Sequence, residues 1–164
     1  MESFNENMQE YRKQLKKGAI KEAYRGLMDY FNSLRLYFET KYPDYFVSGS
    51  VYYGYMDMTY FSFTPKSLKS KKLKIAIVYL HEAFRFEVWL VGYNKKIQRK
   101  YWKLIKANNW EKYYLPPTTK GVDSIIECTL TDAPDFNKLD NLTKQIEIET
   151  LNFIEAVETF LAEN

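Results

Sequence analysis

The apolar residues of this chain change period twice, and those changes limit the fold more than anything else in it. Ile20, Ala23, Tyr24, Leu27, Met28, Phe31, Leu34 and Phe38 recur at threes and fours, the spacing of one helix face. After Pro43 the spacing falls to two, or the apolar residues run on unbroken, as far as Gly92. Beyond Asn94 the helical spacing returns. Such a chain is neither all-helical nor all-β. The pattern predicts an α+β layer fold: two N-terminal helices, an antiparallel sheet of about five strands, a middle helix and a long C-terminal helix.

Local signals place the elements. Phe4, Met8, Tyr11 and Leu15 mark a first helix, which Gly18 breaks, with Lys16 and Lys17 favouring its C-terminal dipole. Pro43 ends the second helix, because the residue before a proline is pushed out of the helical region. Strands are expected near Met56–Thr64, Leu73–Leu80 and Phe84–Val91, with a basic turn over Pro65–Lys72 and a hairpin at His81-Glu82-Ala83. Asn94 caps a helix reaching Ala107, with Ile97, Tyr101, Leu104 and Ile105 inward. Lys112–Leu115 and Ser124–Thr131 add two strands around the Pro116–Gly121 loop. The last helix, Leu139–Leu161, buries Leu142, Ile146, Phe153, Val157 and Phe160. The 164 residues read as one domain. Residues 1–43 form a helical hairpin packed on the sheet, 44–131 the sheet region and 132–164 the C-terminal helix.

Several function classes drop out. The longest apolar run, Ile75–Leu80, is far short of the roughly 20 residues a membrane span needs. The start, Met1-Glu2-Ser3-Phe4-Asn5-Glu6, has no basic region followed by an apolar stretch. The expectation is a cytoplasmic protein with no membrane partner, in which the Asn141-Leu142-Thr143 sequon stays unused. One cysteine, Cys128, and one histidine, His81, exclude a disulfide framework and any site that needs two of either. No cofactor, metal or catalytic residue is assigned. Phosphate-cradling glycine motifs, a zincin helix and the Gly-x-Ser-x-Gly elbow are all missing. The acidic-x-Lys triplet Glu39-Thr40-Lys41 precedes Pro43-Asp44, the reverse of the nuclease order. Cys128, in an apolar strand, reads as an inert core thiol.

Three features carry candidate chemistry. The first is charge. Residues 65–120 hold fourteen basic and three acidic side chains, whereas residues 121–164 hold two and ten. Lys66, Lys69, Lys71, Lys72 and Lys74 crowd one turn, and Lys95, Lys96, Arg99, Lys100, Lys103 and Lys106 stud one helix. With Tyr93, Tyr101, Trp102 and Trp110 interleaved, Lys95, Arg99, Lys103, Tyr101 and Trp102 form the nucleic-acid alternative, lysines on phosphates and rings on bases. The competing reading is neutralisation against the acidic last helix. The second feature is tyrosine, fifteen residues, dense from Tyr42 to Phe63. Buried tyrosines need partners for their hydroxyls, so this density points either to a half-wet groove or to a core whose hydroxyls reach the surface. The third is a set of ionisable groups in the strands. Arg85, Glu87 and Trp89 alternate on one strand and share a face; Asp57 lies among aromatics, and His81, at the turn, is expected to be solvated. These define the principal expectation, a non-enzymatic module with a groove at Tyr53, Tyr55, Asp57, Arg85, Glu87 and Trp89. There Asp57 and Arg85 orient a polar ligand and Lys120 engages an anionic group. A small molecule or a protein is the expected partner. An enzyme, with Asp57, Glu87 and His81 carrying protons, is a third reading.

The stretch Tyr52-Tyr53-Gly54-Tyr55-Met56-Asp57-Met58-Thr59-Tyr60-Phe61 and the strand Lys72-Leu73-Lys74-Ile75-Ala76-Ile77-Val78 look familiar. With Phe86-Glu87-Val88-Trp89-Leu90, Asn94-Lys95, Tyr101-Trp102 and Thr118-Thr119-Lys120-Gly121, the chain resembles an uncharacterised bacterial and archaeal family of domains of unknown function, from about Leu15 to Leu161. That resemblance implies no activity. Leu34-Arg35 through Tyr53-Gly54 is also similar to the small α+β domains of the YdhG type, some of them proposed to handle iron. The single histidine and single cysteine here carry no metal role across.

Overall fold

The computed structural model describes residues 1–164. Ser3 and Glu6 form a reciprocal cap, each side chain bonded to the other's backbone amide, and this starts α1 (Phe4–Lys17). Gly18, at φ +85°, takes the left-handed conformation that stops it and leads straight into α2 (Ala19–Lys41). Pro43 opens a single 3-10 turn, Pro43–Tyr45. The sheet comprises β1 (Met58–Phe63), β2 (Leu73–Leu80), β3 (Arg85–Gly92) and β4 (Ser124–Thr131), antiparallel and in chain order. A one-turn helix α3 (Lys66–Lys69) joins β1 to β2, α4 (Lys95–Ala107) joins β3 to β4, and α5 (Leu139–Glu163) closes the chain. As expected, Asn94 caps α4, its side chain accepting from the Ile97 amide. No helix is long and apolar enough to cross a membrane.

The sheet has four strands rather than five. Lys112–Leu115 contributes one bridge, Tyr114 to Glu127, because Pro116 and Pro117 follow at once and have no N–H to extend a ladder. The first and third strands begin later than the sequence suggests. Met56 and Phe84 both have positive φ and belong to turns, so pairing starts at Met58 and Arg85. The Pro65–Lys72 connector is partly helical, and Lys72 reverses it at φ +57°.

Alternation sorts the strands into two faces. Phe61, Phe63, Ile75, Ile77, Tyr79, Phe86, Val88 and Leu90 point to the helical side. There they meet Phe31, Leu34 and Phe38 of α2, Tyr101 and Ile105 of α4, and Leu142, Ile146, Phe153 and Val157 of α5. Burying each large side chain in this core contributes about 1.5–3 kcal/mol. Polar groups clamp α2 to α5. Tyr30 hydrogen-bonds Thr143 at 3.0 Å, and the Tyr37 and Tyr42 hydroxyls both donate to the buried Glu147, which also pairs with Lys41 at 2.6 Å. Burial raises the Glu147 pKa, but Lys41 and the two phenols outweigh it and hold the carboxylate below its ordinary value.

The N-terminal hairpin does not pack on the sheet as a unit. α2 does. α1 buries none of its residues, and its main contacts are with α2.

Candidate functional site

Directly paired residues of an antiparallel ladder share a face, so the register maps the sheet's other side. One row reads Tyr52, Tyr60, Val78, Glu87 and Thr129; the next reads Ser62, Ala76, Trp89, Glu127 and Tyr114. Met58, Leu80 and Arg85 lie beyond the first row, and Lys74 and Val91 beyond the second. Ala76, Val78 and Trp89 form a separate apolar cluster here, edged by Met58, Tyr60, Leu80 and Val91, and no helical residue enters it. The helical core lies on one face; on this one Ala76, Val78 and Trp89 are covered chiefly by neighbouring strand and loop side chains.

A cleft of about 310 Å³ lies on this face. Its floor is Ala76, Val78, Trp89 and Val91; Tyr60 and Ser62 stand on one side, and Asn94, Lys95, Gln98 and Asp123 on the other. The second wall is braced. Lys95 donates to the Thr119 and Val122 carbonyls at 3.3 and 2.6 Å, and Gln98 to those of Val122 and Ser124 at 2.8 and 3.1 Å. Gly92 makes this corner possible, since a Cβ there would lie 2.8 Å from the Gln98 nitrogen. Burial first, and the Asp123 carboxylate after it, push the Tyr60 phenol up. The Lys74 ammonium lies 4.6 Å from the Tyr93 ring centroid and has no carboxylate within ion-pair range.

Beside the cleft, Glu87 is 2% exposed and accepts from Arg85 Nε and from Trp89 Nε1 at 2.8 Å. That second bond ties the indole to its neighbour on the same strand face. Glu127, directly across from Trp89, accepts from Ser124 at 2.6 Å. Burial raises its pKa, and the Glu87 charge adds to this against the Ser124 hydrogen bond.

The expected groove residues therefore separate. Arg85, Glu87 and Trp89 share one face as expected, and the Glu87 carboxylate is buried in its ion pair with Arg85. Lys120 is exposed on the neighbouring loop. Tyr53, Tyr55 and Asp57 lie apart from them. Asp57 closes its own turn, accepting from the Tyr55 amide at 2.9 Å, and its pKa is lowered by such backbone donors. Gly54 supports this turn at φ +76°, where a Cβ would lie 2.0 Å from the Met58 carbonyl oxygen. Asp57 is two strands from Arg85, on the order of 10 Å, and its carboxylate is engaged by the amides of its own turn. The Tyr53 hydroxyl accepts from Asn32 of α2, and Tyr55 projects into solvent. His81 is half-buried rather than fully solvated. Its Nε2 hydrogen-bonds Thr59 at 2.8 Å, and its ring lies 5.1 Å from that of Tyr79.

The nucleic-acid set also divides. Lys95, Arg99 and Lys103 are exposed, and no cation on α4 reaches a carboxylate, so ion pairing with α5 does not neutralise them. Tyr101 is buried in the main core, and the Trp102 indole donates to the Pro116 carbonyl at 2.8 Å. Tyr101 therefore has no free face for a base, whereas Trp102 stays half-exposed with its N–H committed. Cys128 is half-buried against the core, its thiol pKa raised by burial and then by the Glu149 and Glu87 charges. Sequence reasoning missed Tyr60, Lys74, Gln98 and Asp123 as cleft residues. Strand parity carried the signal for the first two, since Lys74, Ala76 and Val78 alternate with Ile75, Ile77 and Tyr79.

Fold and face together define a two-layer α+β domain with helices on one side of the sheet and an aromatic, partly charged surface on the other. The chain belongs to the family Domain of unknown function (DUF7000), which it matches over residues 4–161. No curated protein and no solved structure matches it.

Proposed function

We propose that this domain is a non-enzymatic binding module and that its ligand occupies the cleft on the Trp89 face of the sheet. The observation that carries the reading is the cleft itself. An apolar floor lies between a wall bearing the Tyr60 hydroxyl and one, at the start of α4, whose Asn94 and Gln98 side chains are held in place by their own cap and loop hydrogen bonds. Binding pockets combine these elements, apolar area for affinity and a few polar groups for orientation. Lys74 and Lys95 outnumber Asp123 at the rim, and rings at Tyr60, Trp89 and Tyr93 surround them. This chemistry favours a planar ligand with an anionic group. Ligand-observed NMR against aromatic carboxylates and nucleoside phosphates tests the reading. Hits competing for one site, and lost in Trp89→Ala and Lys74→Ala with the fold intact, are the expected result. Hits untouched by both substitutions would remove the cleft from consideration.

A second reading, nucleic-acid binding, is supported by the exposed, unpaired cations of α4 beside the same cleft. Anisotropy of labelled oligonucleotides at about 50 and 200 mM salt separates the two, because phosphate neutralisation weakens steeply with salt. Binding that falls with salt and with Arg99→Ala/Lys103→Ala favours this reading.

A further inference from the structure

A second cavity, of about 510 Å³, lies on the helical side of the sheet, where the first half of α2 meets the β2–β3 turn and the start of α5. Its lining is mostly apolar. Glu22 is the one carboxylate there, and no lysine or arginine lines it. Met56 and Phe84 extend apolar side chains at its rim from backbone at φ +64° and +55°. Glycine would take that left-handed conformation without strain, so the turns alone do not call for these two residues. Gly26 shows the converse. It sits inside α2, where glycine weakens a helix, yet a Cβ there would meet nothing within 4 Å. No neighbour requires the glycine; its effect is to keep the cavity wide.

Two polar groups on the lining lack a protein partner. Tyr79 is 4% exposed, and its hydroxyl bonds no protein group without being sealed from the cavity. The second belongs to His81. Thr59 donates its single hydroxyl proton to the Tyr53 carbonyl at 2.6 Å, so it accepts from His81 Nε2 at 2.8 Å. The imidazole proton is therefore on Nε2, and Nδ1 is an acceptor that no protein group bonds. Burial holds the imidazole pKa below its ordinary value, in keeping with this neutral form. The Tyr79 and His81 rings lie 5.1 Å apart, and Tyr24, Phe84 and Phe136 add further aromatic walls.

From the unpartnered Tyr79 hydroxyl and the His81 acceptor beside it, in an apolar cavity without a cation, we infer a second ligand site, for a neutral aromatic small molecule carrying an N–H or O–H donor. The volume suits such a ligand, the rings supply stacking and edge contacts, and the missing cation excludes a carboxylate. Indole is the probe, beside N-methylindole, which lacks the donor, and indoleacetate, which adds an anion. His81 is the only histidine, so imidazole nitrogen NMR of the labelled full chain reports this site alone. The expected result is a saturable shift of the Nδ1 resonance with indole, at a dissociation constant about threefold to tenfold below that of N-methylindole. Indoleacetate binds more weakly still. Gly26→Leu, which fills the cavity, raises the constant for indole about tenfold or more without lowering the melting temperature. Tyr79→Phe, which removes only the hydroxyl, raises it about threefold. No saturable shift up to the solubility of indole overturns the inference, as does equal affinity for either analogue or binding that ignores either variant. Binding that Trp89→Ala abolishes with the fold intact belongs to the cleft and overturns it equally.

Discussion

Glu87 shows how one side chain sets the character of a face. Its two oxygens are taken by Arg85 and by the Trp89 indole, so the carboxylate ties a ring to its own strand face. Truncation in Glu87→Ala leaves that indole N–H without its acceptor and is expected to cost about 1–3 kcal/mol, measured by urea unfolding. Indole emission should shift as Trp89 gains freedom; an unchanged spectrum would deny the bond its positioning role. His81 gives a pH dependence. Burial lowers its pKa from 6.5, against the pull of the Asp57 carboxylate, so the unfolded chain takes up this proton more readily than the native state. The neutral imidazole's stabilisation is complete above about pH 6.5 and is lost as pH falls through the lowered native value. Melting temperature should decline between neutrality and pH 5 more steeply in the native sequence than in His81→Gln. Equal slopes would refute the assignment.

Among elements, the corner between β3 and α4 deserves the closest test. Gly92 leaves room for the Gln98 nitrogen, the Ile97 side chain and the Asn94 carbonyl, all within 3.2 Å of where a Cβ would stand. Gly92→Ala should cost about 1–3 kcal/mol by overpacking. It should also tilt α4 away from the 119–124 loop, and amide exchange at Gln98 and Ser124 would report the loosened wall. Stability without faster exchange would mean that the corner yields elsewhere. The α2–α5 seam is different in kind, since Glu147 gathers Tyr37 and Lys41 of α2 and Tyr42 just beyond its end. A glutamate among Ile146 and Thr150 gives no sign of this in the sequence, because its partners are more than a hundred positions away.

At the scale of the molecule, the fold divides into a packed body and a projecting helix. Deleting residues 1–17 should leave the melting temperature and near-ultraviolet spectrum of a dilute sample nearly unchanged, because α1 adds nothing to the core. A large loss of stability would mean that α1 packs on its own domain. The charge layout belongs to this scale as well. The basic middle segment and the acidic end lie on different elements, and none of the four ion pairs joins α4 to α5.

Periodicity alone determined most of the architecture. Spacings of 3.6 and 2 are properties of neighbouring residues, so α2, α4, α5 and the β2–β3 hairpin could be read in order, with caps at Asn94 and Gly18. The same local rule put Arg85, Glu87 and Trp89 on one face. It failed where backbone chemistry interrupts pairing, at Met56, Phe84 and the Pro116-Pro117 step. Which face of the sheet carries the cleft, and which tyrosines line it, only the tertiary structure decided. Tyr53 and Tyr60 are equally aromatic on paper, but Tyr53 turns toward Asn32 of α2 while Tyr60 faces the cleft. A side chain's burial depends on what the rest of the chain places over it, and that is a sum over contacts distant in sequence.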